Sequence, residues 1–156
     1  AQQGRPDIGF LVAGDACRLA GRYDKAVEYY TKAAAATTGS RDRDRNVNRA
    51  KASLEAVQLF DALDLRRVPG GTYVADSLGY EAPIEIEVTV AKGRILKVEV
   101  KKHKEKQFYS ALTDTPRRIL EKQNVKGVDA TTGATITSEA ILNATAKALA
   151  GKGKRK

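Results

Sequence analysis

Ile84-Glu85-Ile86-Glu87-Val88-Thr89-Val90, then Ala91-Lys92-Gly93, then Ile95-Leu96-Lys97-Val98-Glu99-Val100, is the stretch that decides the fold of the second half of the chain. Strict alternation places Ile84, Ile86, Val88 and Val90 on one face of a strand. The second run alternates again, so the two predict an antiparallel hairpin turning at Gly93. Thr72-Tyr73-Val74 reads as a shorter strand before it, and Pro69-Gly70-Gly71 as a breaker within a Leu65–Gly71 linker. Beyond the hairpin the period lengthens. Phe108 to Gln123 reads as mostly helical, restarting at Pro116 as a first-turn proline. A last helix is expected over Glu139–Ala150, with Ser138 as its cap in front and Gly151 behind.

Upstream of the breaker the period is helical throughout. One helix is expected over Ile8–Ala20, ending at Gly21. A second follows Tyr23-Asp24, with Asp24 as N-cap and Val27, Tyr30, Ala33 and Ala34 on one face. Thr37-Thr38-Gly39-Ser40 reads as a loop. A third helix over Arg45–Leu63 presents Val47, Ala50, Leu54, Val57 and Leu63 as an apolar stripe. Phe10, Gly14, Gly21, Tyr23, Ala26, Tyr30 and Ala33 fall at the spacing of one tetratricopeptide repeat, which this segment resembles. It departs from that pattern at Thr38, where a proline is usual, and at Cys17, where an aromatic is usual. One repeat cannot bury its own face, so the third helix is expected to cover it. Residues 1–66 therefore read as a tetratricopeptide-like helical domain and residues 70–150 as a small α+β domain. The fold class is α+β: a helical hairpin plus a third helix, then an antiparallel hairpin-based sheet with a C-terminal helix. Residues 151–156 read as a basic tail.

Composition narrows the function classes. The 156 residues are 42% hydrophobic and 30% charged, which is globular. No apolar run approaches the roughly 18–20 residues of a membrane span. With no methionine in the chain, Ala1 reads as a trimmed or processed start, and Ala1-Gln2-Gln3 suits a mature exported protein. Cys17 is the single cysteine and His103 the single histidine, so neither an internal disulfide nor a His/Cys metal cluster is expected. Cys17 reads as a packed small hydrophobe. The net charge of +9 falls mostly after residue 66. It concentrates in Lys101-Lys102-His103-Lys104-Glu105-Lys106 and in Lys152–Lys156. No aromatics interleave these lysines, so a solubilising face is expected rather than a nucleic-acid site. A basic rim also suits an anionic partner or a lipid surface.

Asp129-Ala130-Thr131-Thr132-Gly133-Ala134-Thr135-Ile136-Thr137-Ser138 is the segment that carries chemistry. All its side chains but Ile136 are small, so a bulky anion can reach the backbone. Gly133 permits a positive φ, and five hydroxyls are available as donors. The N–H groups of the final helix begin just beyond, at the positive end of its dipole. Taken alone, the segment equally suits a threonine-rich turn before an ordinary capped helix.

Asp129, Thr132, Gly133, Ala134 and Thr135 match the Asp-x-x-(Ser/Thr)-Gly-Ala-Thr motif. Gly71-Thr72-Tyr73, Gly79-Tyr80, Pro83-Ile84 and the hairpin with its Gly93 turn occur in the same order as in one family. The chain from about residue 70 to 150 thus resembles the FMN-binding domain family. That family includes a flavin-carrying component of the sodium-translocating NADH–quinone reductase and its counterpart in bacterial electron-transport complexes. The resemblance implies FMN as cofactor, esterified through its phosphate to Thr135 by a flavin transferase that takes FMN from FAD. It implies recognition or positioning roles for Asp129 and Thr132, while Gly133, Ala134, Thr137 and Ser138 complete the expected flavin-binding set. It also implies electron transport and an exported, periplasmic or extracytoplasmic location, with membrane-surface association as an option. The loop after the second strand departs from the family. Glu105 is kept, but Lys106-Gln107-Phe108-Tyr109 replaces small residues, and Phe108, Tyr109 and Tyr80 are candidates either to stack on a flavin ring or to fill the core.

Three readings of function remain open on the sequence. One is an electron-transfer flavoprotein module with covalent FMN that docks a redox partner protein. Another is a helical-repeat scaffold with a silent flavin site, and the third an FMN protein without the covalent bond. No catalytic Cys–His pair, nucleophile elbow or dinucleotide fingerprint is present, so a carrier is expected rather than a stand-alone catalyst.

Overall fold

The computed structural model describes residues 4–107, 109–131 and 133–156. Expectations for Thr132 and Phe108 lie outside the described residues. The chain divides into two compact units, one running to Gln58 and the other from Leu59 to Lys156.

The first unit is helical. Helix α1 spans Pro6–Leu19, α2 spans Tyr23–Ala34 and α3 spans Arg43–Phe60, crossing the division near its end. Pro6 stands in the first turn of α1, where its missing N–H costs nothing. The α1–α2 connection closes as a Schellman motif: Arg22 N–H donates to Cys17 O at 2.8 Å and Gly21 N–H to Arg18 O at 3.0 Å. Helix α2 begins one residue before Asp24, so Asp24 is a first-turn acid rather than the N-cap; Arg22 takes the cap position with no side-chain bond. An acid there still faces the positive end of the helix.

Helices α1 and α2 meet through small residues. Ala26, Tyr30 and Ala33 of α2 are fully buried, and the Tyr30 hydroxyl donates to Asp15 Oδ1 at 2.7 Å. A Cβ on Gly14 would lie 2.6 Å from two ring carbons of Tyr30. Gly14→Ala is therefore expected to destabilise this unit by about 1–3 kcal/mol, because a buried ring has little room to yield. Chemical denaturation of the variant checks this, and unchanged stability would show that the ring moves freely.

The third helix differs from expectation. It starts at Arg43 and stops at Phe60, leaving Leu63 outside. Its buried positions are Asn46, Ala50, Ser53, Ala56, Val57 and Phe60, while Val47 and Leu54 are only half-buried. The inward face is thus turned by one residue towards Asn46 and Ser53. The cause at its start is a polar anchor: Asn46 Nδ2 donates to Asp7 Oδ2 at 2.9 Å. An apolar stripe drawn from hydrophobic residues alone cannot register such an anchor.

The second unit is a four-stranded antiparallel sheet with two helices. Strand β1 is Gly71–Leu78, β2 Pro83–Ala91, β3 Arg94–Lys102 and β4 Lys154–Arg155, in the order β3-β2-β1-β4. Ile84, Ile86, Val88 and Val90 are 0–1% exposed, as the alternation predicts. Burying each contributes about 1.5–3 kcal/mol relative to exposure. Lys92 and Gly93 both take positive φ, 51° and 73°, so the hairpin turns in two residues with the twist that strands prefer. In β3 the alternation slips at a register shift opposite Thr89/Val90, leaving Ile95 and Val98 buried and Leu96 57% exposed.

Helix α4, Ser110–Lys122, packs on β3, and α5, Thr135–Leu149, packs on β1, β2 and α4. Pro116 lies inside α4, which runs through it without restarting; the lost N–H leaves one backbone bond unmade and the ring is buried. After α4, Gln123 takes φ 55° and turns its amide onto the open edge of β3. Ile95 N–H donates to Gln123 Oε1 at 2.8 Å, and Gln123 Nε2 donates to Ile95 O at 2.9 Å. That bonding replaces a neighbouring strand at this point of the edge.

Rather than a frayed tail, the C-terminal residues pair with Tyr73 and Val74 as β4. Lys156 N–H donates to Thr72 O at 2.8 Å, and its ammonium meets Glu87 at 2.8 Å. A lysine-rich sequence hides this, since strand edges favour lysine for the same reason tails do.

Candidate functional site

A cavity of about 380 Å³ in the second unit is walled by three segments. They are the turn after β1 with Tyr80 and Glu81, the stretch after β3 with Glu105, Lys106 and Gln107, and the start of α5 with Gly133, Ala134, Thr135, Ile136 and Thr137.

The start of α5 is set by a turn. Ala134 N–H donates to Thr131 O at 2.9 Å, and Gly133 takes φ +76° within it. The chain then enters the helix at Thr135, four residues earlier than the Glu139 start read from the sequence. The first α-helical bond runs from Ser138 N–H to Ala134 O at 2.9 Å. Ala134, the N-cap, offers no side-chain acceptor. The N–H groups of Thr135, Ile136 and Thr137 consequently have no partner within the helix, at the positive end of a 15-residue dipole.

Thr137 and Ser138 are not caps. Both are buried in the first turn of α5 and both bond outward to other segments. Thr137 Oγ1 donates to Glu105 Oε1 at 2.7 Å. Ser138 Oγ accepts from Thr131 N–H at 3.0 Å and holds the preceding turn closed. Thr137→Val is thus expected to cost about 1–3 kcal/mol, since it removes a bond to a buried carboxylate. Denaturant unfolding measures it; a cost near zero would show that the bond adds nothing net.

The remaining predicted residues separate. Gly133, Ala134, Thr135 and Thr137 come together on the cavity wall. Asp129 does not line it: it is exposed, its carbonyl accepts from Arg118 Nη1 at 3.1 Å, and it borders a separate open groove with Arg118, Glu121 and Lys122. Tyr80 is 48% exposed and lines the cavity, so it is a surface aromatic at the mouth rather than core. Tyr109 is 57% exposed and lies beside His103, with ring centroids 6.3 Å apart. Glu105 is the residue sequence reading underweights. It is 5% exposed, its Oε1 also accepts from Tyr80 N–H at 3.1 Å, and its N–H donates to His103 Nδ1 at 3.2 Å. Nothing local in the sequence links residues 80, 105 and 137; only the fold brings them together.

The lining suits a large ligand with an anionic end. Small residues leave the helix N-terminus open, Lys106 adds a cation, and Tyr80 offers an aromatic face. Among the described residues no helix is long and apolar enough to cross a membrane. Residues 79–150 match the model of the FMN-binding domain family. The match spans β2, β3, α4 and α5 and every residue of the cavity wall, and it supports FMN as the cofactor of this region. No curated protein matches the chain.

Proposed function

We propose that the second unit is an electron-carrying flavoprotein module in which FMN is attached by a phosphoester to Thr135. The observation that supports this reading most is the position of Thr135. It is the first residue of α5, it lines the cavity, and it follows the small pair Gly133-Ala134. A phosphate on its hydroxyl meets the first-turn N–H groups, which have no partner within the helix.

In the attachment step, Thr135 Oγ attacks the phosphorus on the flavin side of FAD. The pyrophosphate bond breaks, AMP leaves, the hydroxyl proton passes to a base, and the new Oγ–P bond retains FMN. A flavin transferase supplies the catalysis. Bound FMN supplies the electron chemistry. The residues of this chain hold it: α5 binds the phosphate end, Tyr80 flanks the mouth, and Lys106 offsets negative charge. A redox partner protein delivers or takes the electrons, and the module itself turns over no substrate. The family resemblance implies attachment outside the bacterial cytoplasm, so under this reading the protein belongs in the periplasm or at a membrane surface.

The test is expression of the unsubstituted chain with and without a flavin transferase. With it, the protein is expected to be yellow, to stay yellow after acid precipitation, and to gain the mass of FMN less one water. Colour that washes out in acid would replace the covalent reading with dissociable FMN, and a colourless protein would defeat both.

A further inference from the structure

Glu105 lines the cavity wall, and among the described residues only one of its two carboxylate oxygens is used. Oε1 accepts from the Thr137 hydroxyl at 2.7 Å and from Tyr80 N–H at 3.1 Å. Oε2 is buried and has no partner among the described residues. The side chain is 5% exposed. It is also tightly held, since a Cβ on Gly79 would lie 2.9 Å from Oε1 and from two carbons of Ile84. A buried carboxylate oxygen without a donor is costly and calls for one. We infer that Glu105 Oε2 accepts a hydrogen bond from a hydroxyl of the ribityl chain of the flavin, making Glu105 a ligand-positioning residue. This rests on the flavin reading given above.

The choice of ribityl hydroxyl over ring follows from placement. Glu105 is tied to Thr137, two residues along α5 from Thr135 and within the same helical turn. With the phosphate at Thr135, the donors within reach of that turn are the hydroxyls next to the phosphate. The ring N–H lies at the far end of the flavin. A carboxylate this close to a phosphate also has to be offset. The Thr137 hydroxyl, the Tyr80 N–H and the first-turn N–H groups of α5 all point positive charge into this corner.

The full chain, produced without a flavin transferase so that ligand exchanges freely, is titrated with two probes. They are FMN and a flavin phosphate whose ribityl chain is replaced by an unsubstituted pentyl chain. The parent protein is expected to bind FMN roughly ten- to a hundredfold more tightly than the deoxygenated probe, the range of one charge-assisted hydrogen bond. Glu105→Ala is expected to lose that preference, binding the two probes with equal affinity. Glu105→Gln keeps a carbonyl for Tyr80 and Thr137 and turns an amide group to the ligand, which a hydroxyl can accept. It should retain a reduced preference of severalfold, and it serves as the readout if the alanine variant does not fold. A parent-like preference for FMN in Glu105→Ala, or an undiminished preference in Glu105→Gln, would overturn the role of Glu105 and leave the flavin reading standing. A parent that binds neither probe would overturn both.

Discussion

Thr135→Val, expressed with a flavin transferase, is expected to fold as the parent does and to gain no covalent flavin. Under the proposed attachment the loss is complete, because the substitution removes the one oxygen that a phosphoester at this position needs. The shape is kept, since a methyl replaces a hydroxyl on the same branched carbon. Thr135 is half-buried at the first position of α5, and the destabilisation should stay below about 1–2 kcal/mol. Thr137→Val gives the contrast. It should still take up covalent flavin, yet be the less stable of the two, because its hydroxyl bonds a buried carboxylate. Intact mass and denaturant unfolding of both proteins separate attachment from stability. A Thr135→Val protein that still gains the mass of FMN less one water would move the bond to a neighbouring hydroxyl.

Asp7→Ala is expected to destabilise the helical unit by about 3 kcal/mol. Asp7 is fully buried in the first turn of α1. It accepts from Ser40 N–H at 2.9 Å, Ser40 Oγ at 2.5 Å and Asn46 Nδ2 at 2.9 Å. Truncation leaves those donors without their acceptor and unties the loop before α3. The same site sets an acid dependence. Burial raises the carboxyl, but the bonds from Ser40, Asn46 and the Ile8 backbone outweigh it and lower its pKa to about 2. The folded value lies below the ordinary 3.8. Its contribution is therefore full above about pH 3.8 and is lost as pH falls through about 2. Helical stability followed from pH 5 to pH 2 should fall in the parent and fall less in Asp7→Asn. Parallel curves for the two would contradict this.

Much of this fold is legible in the residues, and the gaps have physical causes. The β2 alternation specifies the strand and its buried face directly, because period two admits no other face. The starts of α2 and α5 differ from expectation for a common reason. A good capping side chain, Asp24 or Ser138, suggests the boundary, whereas Arg22 and Ala134 hold the cap positions without any side-chain bond. Capping contributes only about 1 kcal/mol and yields to tertiary demands. Here Thr137 and Ser138 are used by Glu105 and Thr131 instead. The threonine-rich segment marks one wall of the cavity, since Gly133, Ala134 and Thr135 line it. The opposite wall is legible only through the family resemblance, which draws attention to Tyr80 and Glu105; no local pattern shows that strand pairing brings the two together. The fourth strand is hidden by charge.

A covalent bond at a single atom, Thr135 Oγ, is tested most directly by fragmentation of a peptide. The chain is loaded by a flavin transferase and digested, and the peptide holding residues 129–138 is sequenced by mass spectrometry. The expected spectrum places the mass of FMN less one water on Thr135, with Thr131, Thr132, Thr137 and Ser138 unmodified. The added mass on any other residue, or its absence from a peptide recovered from yellow protein, would contradict the assignment.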